Sequence, residues 1–210
     1  MIIAVDGPAA SGKGTLARRL ARHFELAHLD TGSLYRAVAL KALELGDPAD
    51  PRIAEKAARA LDLSLLEDPR IRGETVTDAS SVVAAFASVR AALLDLQRDF
   101  ARRAPGAVLD GRDIGTVVCP DADAKLFLTA TPEARADRRT RELRAAGHRA
   151  IYQRVLEDMK ARDARDSARR AAPLVPADDA IVIDTSSLDA DAVFAAALAS
   201  IAEKLAVKKR

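Results

Sequence analysis

Aromatic side chains are scarce in this chain: five Phe, two Tyr and no Trp among 210 residues. Without them there is no stacking platform for single-stranded nucleic acid. A formal net charge of only +2 likewise argues against a general polyanion binder. Cysteine occurs once, at Cys119, which excludes an internal disulfide framework and suits a reducing compartment. Beside Pro120 that thiol reads as a buried residue rather than a nucleophile. The three histidines, His23, His28 and His148, stand in no metal-ligand spacing and accompany no nucleophile elbow, so they read as surface or packed residues. No apolar run approaches the ~20 residues of a membrane span, and the first residues read as a strand rather than a signal peptide. The expectation is a cytoplasmic enzyme that engages neither membrane nor nucleic acid.

What is present begins with Met1–Thr15, MIIAVDGPAASGKGT. An apolar run, Ile2 to Val5, ends in Asp6; a glycine-bounded turn follows, and an amphipathic stretch runs from Leu16 to Phe24. Strand, loop and helix start are the context in which Gly-x4-Gly-Lys reads as a phosphate-binding loop. Glycine lets the backbone fold back so that several N–H groups share one cavity, and the new helix adds its unpaired N–H groups and positive dipole end. Lys13 supplies a mobile point charge. Gly7, Pro8, Ala9, Ala10, Ser11, Gly12, Lys13, Gly14 and Thr15 are thus the candidate residues for binding a nucleoside triphosphate. The position after the lysine, normally a metal-touching Ser or Thr, is Gly14, with the hydroxyl one place later at Thr15. That Gly-Lys-Gly-Thr form resembles nucleoside monophosphate kinases, which hold Mg²⁺ largely through phosphates and water. The guanine-reading Asn-Lys-x-Asp of a GTPase is missing, as is the Asp-Glu strand end of ATP-driven motors.

Hydrophobic content of 49% can build a core and 30% charged residues can cover it, in a length suited to one domain. Short apolar runs predict strands over Ile2–Asp6, Ala27–Asp30, Ala107–Asp110, Ala124–Leu128 and Ala180–Asp184. Helices are predicted over Gly12–Phe24, Ser33–Leu45, Pro51–Leu61, Val82–Ala104, Pro132–Ala146, Ala150–Ser167 and Asp189–Val207. Alternating βα units imply an α/β fold: a doubly wound, five-stranded parallel sheet with ligands beyond the carboxyl ends of its strands. The core is expected over 1–32, 105–130 and 168–210, with an inserted helical subdomain over 33–104 and a helical lid over 131–167. Leu61–Arg72 could form a short strand or hairpin, and the basic end Lys208–Arg210 reads as solvated.

Charge is concentrated from Thr129 to Arg170, where eleven Arg and one Lys face seven Asp or Glu. A basic helical hairpin suits a lid closing over phosphates, although i,i+4 ion pairs on a solvated face account for any single arginine equally well. Ile151, Val155 and Met159 form an apolar stripe. If the helix runs as far as Arg169, then Arg162, Asp166 and Arg169 share one face, either to bind a phosphorylated sugar or as a structural ion pair. Asp110-Gly111-Arg112-Asp113 closes another apolar run where ligands gather; Asp110 could organise metal-bound water and Arg112 a substrate phosphate.

The stretches DGPAASGKGT, LDTGSLYRA (Leu29–Ala37), ASSVVAAFASVRAALL (Ala79–Leu94), LDGRDIGTVVCPDA (Leu109–Ala122) and RDARDSARRAAPLVPA (Arg162–Ala177) resemble the bacterial cytidylate kinases. The resemblance implies ATP-dependent phosphorylation of CMP and dCMP with Mg²⁺, by a monomer. It implies that Arg36, Arg112 and Arg169 hold the CMP phosphate with help from Thr31, and that Tyr35 belongs to the same site. Ser81, Arg90 and Asp113 would read cytosine, and Arg162 and Asp166 the sugar. Lys13, Arg112, Arg138 and Arg162 would be catalytic, with Asp110 reaching the metal through water. Many relatives carry a longer insert at Leu61–Arg72, so the rigidity of the CMP-binding subdomain is open. A kinase for another monophosphate and a P-loop regulatory protein are the competing readings.

Overall fold

The computed structural model describes residues 1–169 and 171–208. Arg170, Lys209 and Arg210 lie outside them, and with them most of the basic end. Five strands form one all-parallel sheet: β1 Ile2–Asp6, β2 Ala27–Asp30, β3 Ala107–Gly111, β4 Ala124–Thr129 and β5 Ile181–Asp184, in the order β2-β3-β1-β4-β5. The doubly wound five-stranded expectation is met. Its strand edges shift by one residue at most, because continuous apolar runs mark strands buried on both faces.

Side chains alternate across that sheet. Ala4, Ala107 and Leu109 join the core on one face, while Ile3, Val5, Val108, Leu126 and Leu128 join the core on the other. The second face is covered by α1 (Lys13–His23) and α8 (Ala190–Lys208), through Leu16, Leu20, Val193 and Ile201. The first is covered by α2 (Thr31–Leu45), α3 (Pro51–Arg59), α4 (Glu74–Val83) and α5 (Ala87–Ala101), all from the inserted segment. Two further helices, α6 (Pro132–Ala145) and α7 (Tyr152–Ser167), share a small cluster of Ala136, Val155, Leu156 and Met159. Ala9 and Ala10 of the glycine-bounded loop pack against it.

Three expectations are corrected. The helix predicted over Val82–Ala104 is α5 alone, starting at Ala87; α4, which was not predicted, precedes it across a bend of 99°. No glycine or proline marks the break. The bend lets Val76 and Val83 bury on the insert side while Val89 and Leu93 bury beside β3, and Arg90 Nη1 donates to the freed Ala84 carbonyl at 3.2 Å. Leu61–Arg72 forms two 3₁₀ turns, Leu63–Glu67 and Pro69–Arg72, instead of a hairpin. Each is started by an aspartate accepting a backbone N–H two residues on, Asp62 from Ser64 at 2.9 Å and Asp68 from Arg70 at 2.8 Å. Such local bonds outcompete a short ladder. Ile151 precedes α7 and is exposed, so the apolar seam of that helix is Val155, Leu156 and Met159.

Strand register aligns Asp30 with Asp110 and Asp6 with Gly111 at one edge of the sheet. Asp6 accepts the N–H of Ile114 at 2.8 Å and of Gly115 at 2.7 Å, tying the turn after β3 to the end of β1. Burial pushes its carboxyl up to about 7 even against the pull of those two bonds. Asp6→Ala strands two buried N–H groups, each costing about 1–3 kcal/mol. Urea unfolding at pH ~4, below the range in which burying the ionised carboxyl costs stability, should show a midpoint at lower concentration and a stability reduced by at least about 2 kcal/mol.

Candidate active site

The loop between β1 and α1 owes its shape to glycine. A side chain at Gly7 (φ +151°) would run into the Leu128 carbonyl, and Gly12 (φ +89°) sits in the left-handed region. No side chain caps α1, so its first N–H groups stay free for an anion. Lys13 Nζ reaches back towards the Pro8 carbonyl at 3.4 Å. Burial pushes its ammonium down to about 7; the charge of Arg112 adds to that push, while Asp110 and Asp30 oppose it.

On one side of the loop a cleft of about 770 Å³ carries nine basic side chains against five acidic ones. Lys13, Arg36, Arg112, Arg162 and Arg169 all line it. Arg36 Nη2 donates to Asp30 at 2.7 Å and Arg112 Nε to Asp166 at 2.9 Å, while Arg169 donates to the other Asp166 oxygen. Burial would raise the Asp166 carboxyl, but the Arg112 and Arg169 guanidiniums outweigh it and hold it below the usual carboxylate range. The Nε atoms of Arg36, Arg162 and Arg169 are buried without a hydrogen-bond partner. Arg162 bears the consequence: burial, reinforced by Arg112, pulls its guanidinium down to about 10. Buried cations with unused donors are the groups suited to binding an anion.

Deeper in the same cleft the break between α4 and α5 sets Ser81 near Arg90 and Asp113. Arg90 and Asp113 form a buried ion pair, and Arg90 lies 5.3 Å from the centre of the Tyr35 ring. Burial pushes the Tyr35 hydroxyl up to about 12, so it stays a neutral donor. Thr31 donates from Oγ1 to the Asp110 carbonyl at 2.9 Å. All ten residues expected at the acceptor end, Thr31, Tyr35, Arg36, Ser81, Arg90, Arg112, Asp113, Arg162, Asp166 and Arg169, line this one cleft.

Across the loop a second cleft of about 640 Å³ is lined by Gly12, Thr15, Arg138, Arg141, Thr185 and Val193 among others. Arg138 therefore stands apart from Lys13 and Arg162. Its Nη1 donates to the Thr185 hydroxyl at 3.0 Å, and its other Nη donates to the Thr185 carbonyl. Ser11 is fully buried with its hydroxyl unpartnered, part of the loop's frame rather than of either cleft wall.

Several contacts at the site were not legible in sequence. His28 Nε2 lies 2.8 Å from Asp110 Oδ1, leaving Oδ2 towards Gly14; an isolated histidine in a strand gives no hint of its cross-strand neighbour. Arg135 is buried and donates to the carbonyls of Ala130 at 3.0 Å and Ala9 at 3.2 Å, and to Asp163 of α7 at 2.5 Å. Arg165 Nε donates to Ser81 Oγ at 3.1 Å, joining α7 to the insert.

A sequence profile of the family described as Cytidylate kinase matches residues 3–203. The chain belongs to the cytidylate kinase family. Proteins named cytidylate kinase from Methylocella silvestris and Xanthobacter autotrophicus are 61% and 59% identical to it, over 199 and 201 residues. Those matches cover 94% and 96% of this chain, and 92% and 97% of the relatives. A crystal structure of an uncharacterized protein from Eubacterium ventriosum superposes with a TM-score of 0.55 over 97% of this chain and 98% of that one. At 17% identity it shares the fold alone. Membership in the cytidylate kinase family agrees with a phosphate loop that has a cleft on either side.

The lowered Lys13 has a consequence for stability. Between about pH 7 and 10.5 the unfolded chain holds a proton that the folded one has released, so the cost of burying this charge is full below pH 7 and fades towards 10.5. Lys13→Met removes the cost. Calorimetry of nucleotide-free protein near pH ~6 should show a higher Tm, by ~2–4 °C for each ~1 kcal/mol relieved, with the gain shrinking near pH ~10.

Proposed function

We propose that this protein transfers the γ-phosphate of ATP to CMP and dCMP, giving ADP and CDP or dCDP. The observation that carries the reading is one glycine-bounded loop shared by two clefts, the basic one rich in unpartnered guanidinium nitrogens. Two anionic nucleotides meeting end to end over that loop account for both. The profile match and the relatives named cytidylate kinase support cytidine as the acceptor base.

The donor's phosphates would lie on Gly7–Thr15. The acceptor phosphate would be held by Arg36, Arg112 and Arg169, with Thr31 beside it. Asp166 has both oxygens on guanidiniums, yet a carboxylate offers about four lone-pair sites, so it can still accept from sugar hydroxyls next to Arg162. Asp113 would accept from the exocyclic amine of cytosine, while Arg90 and Ser81 donate to the ring nitrogen and carbonyl. Uracil reverses that pattern and would leave buried groups mismatched, at about 1–3 kcal/mol each.

Transfer is in line and needs no general base, because a phosphate oxygen is already anionic near neutral pH. Lys13, Arg112 and Arg162 would neutralise charge developing on the transferred group, with Arg138 serving from the donor side. The segment 131–167 would act as a lid over the insert 33–104, excluding water from the transfer. The donor set fits a hydrated Mg²⁺. Asp110 keeps one oxygen on His28 and the other towards Gly14, and a magnesium ion that retains its waters needs only one or two carboxylates beside the phosphates. Asp110 would hold it through water, and the ion would supply charge neutralisation to the ATP phosphates.

A coupled assay of ADP release across CMP, dCMP, UMP and AMP tests the substrate assignment. CMP and dCMP should turn over well ahead of UMP and AMP; preference for another acceptor would reject it. Asp113→Asn can present either a carbonyl or an amide to the base, so its CMP-to-UMP ratio should fall towards unity. Arg169→Ala removes a charge-assisted bond of about 1.5–3 kcal/mol and should raise the KM for CMP roughly tenfold to a hundredfold. Its KM for ATP should stay near that of the parent.

A further inference from the structure

Thr185 follows β5 and is 1% exposed. Its backbone N–H donates to the Thr129 carbonyl at 2.8 Å, extending the join between β4 and β5. Its hydroxyl oxygen lies 3.0 Å from the Ser11 carbonyl and 3.2 Å from that of Thr129, and it accepts from Arg138 Nη1 at 3.0 Å. The Thr129 oxygen already has the Thr185 N–H. The hydroxyl proton is therefore needed at Ser11, in the middle of the phosphate loop. One buried hydroxyl joins that loop to an arginine of α6, on the side where the donor's cleft lies.

A trans peptide points its carbonyl and its N–H in opposite directions. Holding the Ser11 oxygen against Thr185 turns the Gly12 N–H away from Thr185 and fixes the peptide plane between Ser11 and Gly12, one residue before Lys13. That plane is the one a flip could reverse most readily, since Gly12 sits at φ +89° and carries no Cβ to resist it. Reversed, the peptide would offer a phosphate the negative end of its dipole instead of a donor. Phosphate binding by backbone N–H groups depends on their shared orientation.

We propose that Thr185 is a positioning residue for the phosphoryl donor: it pins the Ser11–Gly12 peptide and couples the loop to Arg138. The inference rests on the reading that ATP occupies this loop. It concerns the donor alone, because Thr185 lines the second cleft and not the arginine-rich one.

Thr185→Val keeps the branched shape and removes the hydroxyl, whereas Thr185→Ser keeps the hydroxyl. Titration with a non-hydrolysable ATP analogue in the absence of acceptor should show about tenfold weaker binding for Thr185→Val, and the serine variant should recover the parent affinity to within about twofold. In steady state the KM for ATP should rise by the same factor while that for CMP stays within about twofold. Arg138→Met added to Thr185→Val should cost less than the two separate losses combined, because they break one linkage. Should the valine variant fail to fold, Thr185→Cys, a weaker donor of similar size, should give an intermediate loss. Unchanged analogue affinity, or parallel rises in both KM values that serine does not rescue, would overturn the proposal. A parent protein that binds the analogue but phosphorylates no CMP would instead sink the acceptor assignment and leave this test readable.

Discussion

Buried positive charge at the carboxyl end of the sheet is held in place by a few carboxylates, and much of the remaining architecture serves that condition. Lys13 and Arg162 bear the strain most directly, with burial lowering the affinity of each for its proton. Asp166 keeps the arrangement from flying apart by taking one guanidinium on each oxygen. A buried ion pair of this kind adds little net stability, but it holds side chains in register. Here it keeps Arg112 and Arg169 side by side. Both line the arginine-rich cleft.

The fold supplies this geometry through strand ends. Asp6, Asp30 and Asp110 lie within a residue of one another in register at the carboxyl ends of three neighbouring strands, and each carries a different load: backbone N–H groups, Arg36 and His28. The α6–α7 hairpin sits on the phosphate loop by a mixture of small apolar contacts and the buried Arg135, which reaches the Ala9 carbonyl and Asp163 together. A helical pair that touches the loop through carbonyl groups, and the insert through Arg165 and Ser81, feels both clefts at once.

Much of this was legible in the chain because its signals are local. Buried parallel strands read as apolar runs, Gly7 and Gly12 mark backbone that tolerates no ordinary side chain, and Pro132 after Thr131 announces α6, whose first turn Thr131 caps at Ala134. The acceptor-end residues were placed by resemblance, and the cleft that gathers them comes from the fold. The α4–α5 bend left no local trace, since no residue there breaks a helix; it brings apolar side chains of both helices into one core. The 3₁₀ turns at Asp62 and Asp68 do have a local signal, an aspartate two residues before an N–H, which the alternation of apolar residues obscured.

Sequence by itself determined the sheet, its flanking helices, the phosphate loop and the family, because each rests on spacing along the chain or on likeness of whole stretches. Only the tertiary structure decided which charges meet. His28 finds Asp110, Arg135 finds Asp163, and Arg138 leaves the arginine-rich cleft for Thr185, across separations of 82, 28 and 47 residues. Electrostatic and hydrogen-bond energies fall off over a few ångströms of space and take no account of distance along the chain, so such pairings are settled when the sheet and its helices close around them.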